Sequence, residues 1–395
     1  PGGIMVVPRH MDVHHFTPIQ HPADDRTSGT VTTHFDYHSI SSRLVKLDIL
    51  GHDDPTVIKM LERLTGIDAK QIPFDDQATM SLFYSTEALG LTAAQLKSPV
   101  ATLGVPEFGT RFVRQMLEEA RAKRLSELVR ISGFSHGTDV WVNNAQDLIR
   151  EKQATLSEAI SARDDIMVTL IHKGVAPKMA FDIMENVRKG KGVKPNQVQA
   201  MQEKGVPEWF IQSCQKIKYM FPKAHAVAYV MMAFRIAWFK VHQPLAFYAA
   251  YFTIRAEDFD PAAVIRGEAG INAAISELDG KGNGASQKEK AMISVMETAR
   301  EMVLRGFKFL PIDLYHSHAS EFLIRDRALL PPLAALPGLG SAAAQSIVVS
   351  RNERPFSSQD DLRIRGHISK SILELLRQQG CLDSLPESDQ LRLFG

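Results

Sequence analysis

The sequence is poor in cysteine: Cys214 and Cys381 are the only two in 395 residues. That excludes a disulfide framework and a cysteine-rich zinc site, and reads as two reduced thiols in a cytoplasmic protein. Neither sign of charge is in excess. Lys and Arg number 46 against 45 Asp and Glu, a formal +1, so any basic surface must be local. Long apolar runs are missing too. The longest, residues 226–234, is shorter than the ~20 residues of a bilayer span, and no basic segment followed by an apolar stretch opens the chain. A start at Pro1-Gly2-Gly3 instead of Met leads us to expect a soluble piece of a longer protein, without a membrane partner. What is present is ordinary: 44% hydrophobic and 23% charged residues, which excludes a fibrous or wholly disordered chain. The length allows about two to four domains.

The first fifty residues stand apart. They hold seven of the fourteen histidines if His52 is counted, and two short runs, 4–7 and 43–50, that read as strands of a buried sheet. From Pro55 the spacing turns helical: apolar residues recur at helical intervals over 56–65, 110–122, 178–189 and 223–241, with Gly and Pro between them. GKGNGAS (280–286) is a loop by composition, and a helix follows over 287–304. Residues 305–324 are mixed, with strand-like pieces at 307–309 and 322–324, and residues 331–385 are helical again.

Six features could carry chemistry. Asp48 sits among apolar neighbours in a strand, either on the wet face of a half-buried sheet or as a Mg²⁺ ligand. His10 and His14 are four apart, but prolines bracket them and no His-Glu-x-x-His pattern exists, so zinc is disfavoured. Arg188-Lys189-Gly190-Lys191-Gly192 either caps a helix or grips a polyphosphate through its cations and bare backbone. Lys223, His225 and Tyr229 lie at one end of an apolar helix. The stretch 216–240 has five Lys or Arg and no acid, which suits a nucleotide pocket as well as a core helix reaching solvent. Arg111, Arg114 and Glu118 share a helix face, with Arg114–Glu118 a possible surface pair and Arg111 free to meet a phosphate. The most specific local signal is Pro337-Gly338-Leu339-Gly340-Ser341. Its glycine turn is either a plain turn in a small helical domain or one that presents backbone N–H groups at a helix start, a nest for a DNA phosphate that carries no base code. The latter is a helix-hairpin-helix reading. A second hairpin at Arg365-Gly366-His367-Ile368 lacks the second glycine.

Taken together, TTHFD (32–36), KLDILGHDDPT (46–56), LGVPEFGTRFVRQML (103–117), SGFSHGTDVW (132–141), VRKGKG (187–192), KYMFPKAHAVAYV (218–230), RAEDFD (255–260) and QLRLF (390–394) resemble the PolC type of replicative DNA polymerase III α subunit of low-GC Gram-positive bacteria. The resemblance covers essentially the whole chain. It implies a mainly α fold: a small α/β remnant of a polymerase palm at 1–53, large helical fingers at 54–312, a duplex-binding tandem helix-hairpin-helix region at 313–385, and a sliding-clamp-binding tail at 386–395. It also implies templated transfer of dNMP to a primer 3′ end by a two-metal mechanism. Asp48 would be one of three palm carboxylates that hold two Mg²⁺ ions, the other two lying upstream. Asp36 matches a family position with no role assigned. Arg111, Arg188, Lys189, Lys191, Lys223, His225 and Tyr229 would surround the incoming dNTP. Gly338, Leu339 and Gly340 would meet DNA. Gln390, Leu391, Leu393 and Phe394 would dock on the sliding clamp, and other replisome subunits would be further partners. On this reading the isolated chain binds dNTP and DNA without extending a primer. The other classes open to the sequence are a non-catalytic DNA-binding module and a metal-dependent phosphohydrolase.

Overall fold

Asp54-Pro55 starts the first long helix and also marks the point where the chain divides. The computed structural model describes residues 2–49 and 51–388, for Asn283 the backbone alone, and falls into two compact units, Pro1–Asp53 and Asp54–Gly395.

In the first unit, Gly3–Val6 pairs antiparallel with Val45–Asp48, Ile4 opposite Leu47 and Val6 opposite Val45. Side chains alternate across a strand, so these four share one face. All four are exposed, contrary to the buried sheet expected from the apolar runs. The strands form, but two of them offer no second layer of the unit to bury the face. A second pair joins Ile19–Gln20 to Thr32–Thr33. Asp36 acts locally. Its carboxylate caps the helix Tyr37–Ile40, accepting from the His38 amide and the Ser39 hydroxyl, each at 2.8 Å.

The second unit is helical, with one three-stranded sheet. Lys308–Phe309 runs parallel to Ala328–Leu330, which pairs antiparallel with Leu323–Arg325. The strand Ala328–Leu330 has no counterpart in the sequence reading, being only three residues long and followed by two prolines. The helices match the apolar spacing closely: Asp54–Thr65, Arg111–Ala120, Pro177–Arg188, Lys223–His242 and Gln287–Leu304.

Two hydrophobic clusters make the interior, and Lys223–His242 serves both. Its Phe234 and Ala237 belong to one, its Ile236 and Phe239 to the other. This helix is long and apolar enough to cross a bilayer on composition alone, and it packs against Asp54–Thr65, Leu125–His136, Arg163–His172 and Pro244–Ile254. The C-terminal helices Ser341–Glu353, Gln359–Arg365 and Lys370–Gln378 share a core with Pro244–Ile254 through Leu336, Leu339, Ile347, Leu362 and Leu376. Residues 385–387 are tied back to this region. The Gln359 amide donates to the Pro386 carbonyl (2.9 Å) and the Asp360 amide to that of Glu387 (3.2 Å). Beyond them, Gln390, Leu391, Leu393 and Phe394 lie outside the described residues.

Between the two clusters Lys240 is wholly buried. Its ammonium donates to the carbonyls of Ala101 (2.7 Å) and Leu103 (2.6 Å) and lies 2.8 Å from a Glu301 carboxylate oxygen. Tyr248 Oη donates to the same carboxylate at 2.7 Å, and Arg305 reaches both Tyr248 Oη (3.1 Å) and the Lys240 carbonyl (3.0 Å). Burial drives the Lys240 ammonium below its ordinary value while Glu301 holds it up, and burial raises the Tyr248 phenol. Removing one member strands the other charge. Lys240→Met should therefore cost ~3–5 kcal/mol in denaturant unfolding, and Lys240→Met with Glu301→Leu should recover most of that loss. A single variant as stable as the parent would show that the pair does not hold these helices.

Candidate nucleic-acid interface

Three chain segments that are far apart in sequence meet at Tyr219. The Thr138 amide donates to the Tyr219 carbonyl (3.0 Å) and the Lys218 amide to the Thr138 carbonyl (3.1 Å), an isolated antiparallel bridge. Glycines permit the approach. A Cβ on Gly137 would lie 2.9 Å from the Tyr219 carbonyl oxygen, and one on Gly190 2.6 Å from that of Lys218. Gly190 also has φ +69, a conformation that side chains disfavour. The sequence readings of Gly190 as a helix cap and as a bare-backbone loop therefore both describe it: it ends Pro177–Arg188 and lets the basic loop lie against residue 218.

A column of rings rises from this junction along the start of Lys223–His242. Tyr219 packs edge-on to Phe221 (5.3 Å between centroids), Phe221 stacks on His225 (4.7 Å), and His225 stacks on Tyr229 (4.2 Å). His225 and Tyr229 are four apart, so one helix face aligns them, and Phe221 stacks on His225 from just before the N-cap Pro222. His136 sits against both Phe221 and His225 at 5.5 and 5.7 Å. Its Nδ1 faces the Ser132 carbonyl at 2.7 Å and its Nε2 the Glu107 carboxylate at 2.8 Å. Both ring nitrogens thus meet acceptors, which favours the imidazolium. Glu107 and the Ser132 carbonyl raise the His136 value against the opposing effect of burial. Glu107 is held at φ +67, a strained position for a side-chain-bearing residue that costs ~1–3 kcal/mol. The strain lies where its carboxylate meets His136.

The expected cations divide into three groups. Arg188 grips Glu185 through two nitrogens (2.5 and 2.9 Å) and Lys189 adds a third contact at 3.0 Å, so together they hold the Glu185 carboxyl down at about 2. Lys191 is exposed and makes no ion pair among the described residues. Lys223 is at the helix start beside the ring column. Its amide donates to Asp164 (2.7 Å) and its ammonium to Asp165 (3.2 Å). Burial works to raise Asp165, but Arg130, Ser161 and Lys223 hold it below its ordinary value. Arg111 is elsewhere: its guanidinium is 3.1 Å from both Asp279 and Glu297, on the wall of a separate cavity of about 750 Å³. Arg114, read as a possible surface partner of Glu118, is instead buried and paired with Glu297 at 2.8 Å. The helix face is the expected one, but helix Gln287–Leu304 supplies the nearer carboxylate.

The glycine turn is open. Gly338 has φ +92, Leu339 is buried, and Gly340 is the N-cap of the thirteen-residue helix Ser341–Glu353, with no atom within 4 Å of a Cβ added at either glycine. The turn borders a cavity of about 570 Å³ that Arg255 and Lys288 also line. The second hairpin has the same backbone with other side chains. His367 takes the left-handed position at φ +50, Ile368 is buried, and Ser369 is the N-cap. Ser369 Oγ accepts from the Ile372 amide at 3.3 Å, so this helix caps itself where Gly340 leaves its amides open.

Asp48, in the first unit, is exposed and pairs with Lys46 at 2.8 Å. Among the described residues no group of three His, Cys, Asp or Glu side chains could hold a metal ion. The histidines 10, 14, 15, 21, 34 and 38 do not form such a group; His14, for one, contacts Asp12 through Nδ1 (2.6 Å).

Glu107, His136, Tyr219 and Phe221 have no role in the sequence reading. Each lies inside a motif that carries the resemblance, but nothing local marks them as partners, because Glu107, His136 and the ring segment come from three separate stretches of the chain.

Comparison with known proteins adds to this geometry. Residues 54–208 match the bacterial DNA polymerase III alpha subunit finger domain, and residues 306–391 match a helix-hairpin-helix motif. The whole chain aligns with proteins named DNA polymerase III PolC-type: 61% identical to that of Caldanaerobacter subterraneus subsp. tengcongensis, 57% to that of Bacillus subtilis and 55% to that of Listeria monocytogenes. It spans 28% of the length of the first of these relatives and 27% of the other two. The fold is mainly α, with fingers and helix-hairpin-helix parts and a small α/β part.

The His136 contacts set a pH dependence. A folded-state value above the ordinary ~6.5 gives stability that is complete below about pH 6.5 and lost as pH rises through the folded value. The stability advantage over His136→Gln should thus be largest in mild acid and shrink with rising pH. Imidazole NMR should show His136 titrating above its ordinary range and falling back in Glu107→Gln. A gap that stays constant from mild acid to mild alkali would contradict the assignment.

Proposed function

We propose that this chain, homologous along its whole length to one stretch of PolC-type DNA polymerase III, is the part of a replicative DNA-directed DNA polymerase that binds the incoming dNTP and the primer–template duplex. One observation carries the reading. The basic loop 188–191, the Tyr219 bridge and the ring column Phe221–His225–Tyr229 converge on a single place. Cations without enough acids to neutralise them suit a triphosphate, and a ring at the head of a buried helix suits a base. Lys191, Lys189 and Arg188 would meet phosphate oxygens, the latter two by exchanging Glu185 for the ligand. Lys223 would do the same from Asp165. His225 and Tyr229 would set the depth of the base. Arg111, engaged by Asp279 and Glu297, would join them only after a change of partner.

In the longer protein, Asp48 would supply one ligand to Mg²⁺. The remaining carboxylates would come from outside this chain, and the ions would stabilise the attacking and leaving oxygens. What these residues do themselves is bind and neutralise the nucleotide. The glycine turn 338–340 would hold duplex phosphate. Residues 390–394 would dock on a sliding clamp, with the rest of a cytoplasmic replisome beyond it.

The isolated chain should bind Mg²⁺-dNTP, measured by calorimetry, and fail to extend a primed template. His225→Ala with Tyr229→Ala should weaken binding about tenfold or more, the loss expected for a removed stacking partner. Extension by the chain alone, or dNTP binding indifferent to these two residues, would refute the reading.

Duplex binding should be independent of sequence and fall with salt at a slope of about −0.9 per phosphate contact. Gly338→Val with Gly340→Val should lower it, since side chains would fill the open space before the amides. A duplex titration by fluorescence anisotropy checks this, and unaltered affinity would remove the turn from the interface.

A further inference from the structure

Tyr219 is 45% exposed, the ring at the outer end of the column. Its backbone is fixed by the bridge to Thr138, and its ring leans on Phe221, so it is presented rigidly. The joined segments carry cations: Lys216 and Lys218 on its own, Lys216 donating to the Asn143 carbonyl (2.8 Å), and Arg188, Lys189 and Lys191 on the other, the first two held by Glu185. Neither 188–192 nor 216–221 contains an acid. A double helix offers such a ring nothing, since its bases are stacked inside and only phosphates face out. An unpaired base offers a free π-face, and the neighbouring cations can follow the strand that carries it.

We propose that Tyr219 is a stacking platform for an unpaired base of single-stranded DNA, with Lys216 and Lys218 of its own segment beside the strand. The site rests on the proposed polymerase role and extends it to an unpaired template segment, distinct from the dNTP held by His225 and Tyr229. It carries no base code, because every base has a face to stack.

The test compares two fluorescent oligonucleotides of equal length, oligo-dT and a fully abasic strand, in anisotropy titrations of the 395-residue chain. Both keep the phosphates and only one has bases. The parent chain should prefer oligo-dT about tenfold, Tyr219→Ala should bind both alike, and Tyr219→Phe should keep the preference. A parent that binds the two strands equally, or a Tyr219→Ala variant that still prefers oligo-dT, overturns the proposal. Neither measurement involves dNTP or catalysis. Loss of dNTP binding would therefore count against the proposed function and leave this comparison standing.

Discussion

The buried contact between Lys240 and Glu301 is the constraint on which the second unit turns. An ammonium and a carboxylate out of reach of water are costly unless every hydrogen-bonding position is used. Here two backbone carbonyls, a tyrosine hydroxyl and an arginine complete the set. Satisfying these groups leaves little freedom. The 101–103 segment, helix Lys223–His242, helix Pro244–Ile254 and helix Gln287–Leu304 must meet in one register, and so must the two hydrophobic clusters they serve.

The ring column and the basic loop proposed to meet a nucleotide and an unpaired strand sit at the other end of Lys223–His242. A helix fixed at residue 240 projects Lys223, His225 and Tyr229 from a rigid base, and the glycines at 137 and 190 let two more segments close on its entry. The polar partners there differ in kind from those of the core. Glu185, Asp165 and Glu107 each hold a cation at the surface or at its margin, where a ligand phosphate could take the carboxylate's place. In the core no such exchange is open, because nothing reaches Lys240.

The two hairpins show the same contrast in small. Their backbones agree at the left-handed residue, the buried apolar residue and the N-cap. One hydroxyl separates them. Gly340 leaves the helix amides unsatisfied and available, whereas Ser369 satisfies one itself. A pair of turns that looks tandem in sequence has one open end.

Helix positions were legible in the sequence because helical spacing is a local property: an amphipathic stretch between Gly and Pro can bury its apolar face in few other ways. So were the glycine turn at 338–340, where Gly338 takes a left-handed φ of +92, and the basic character of 188–191. The pairing of charges was not. Arg114 chose Glu297 over Glu118, Arg111 chose Asp279 and Glu297, and His136 found Glu107, each across a gap in sequence that no periodicity spans. The exposed apolar face of the strands Gly3–Val6 and Val45–Asp48 was likewise beyond reach, since alternation states which residues share a face but not whether a second layer covers it. Local spacing thus determined the elements, and composition the absence of a disulfide framework. Tertiary packing decided which cation meets which carboxylate, because electrostatic partners are chosen by distance in space after the hydrophobic faces have been buried.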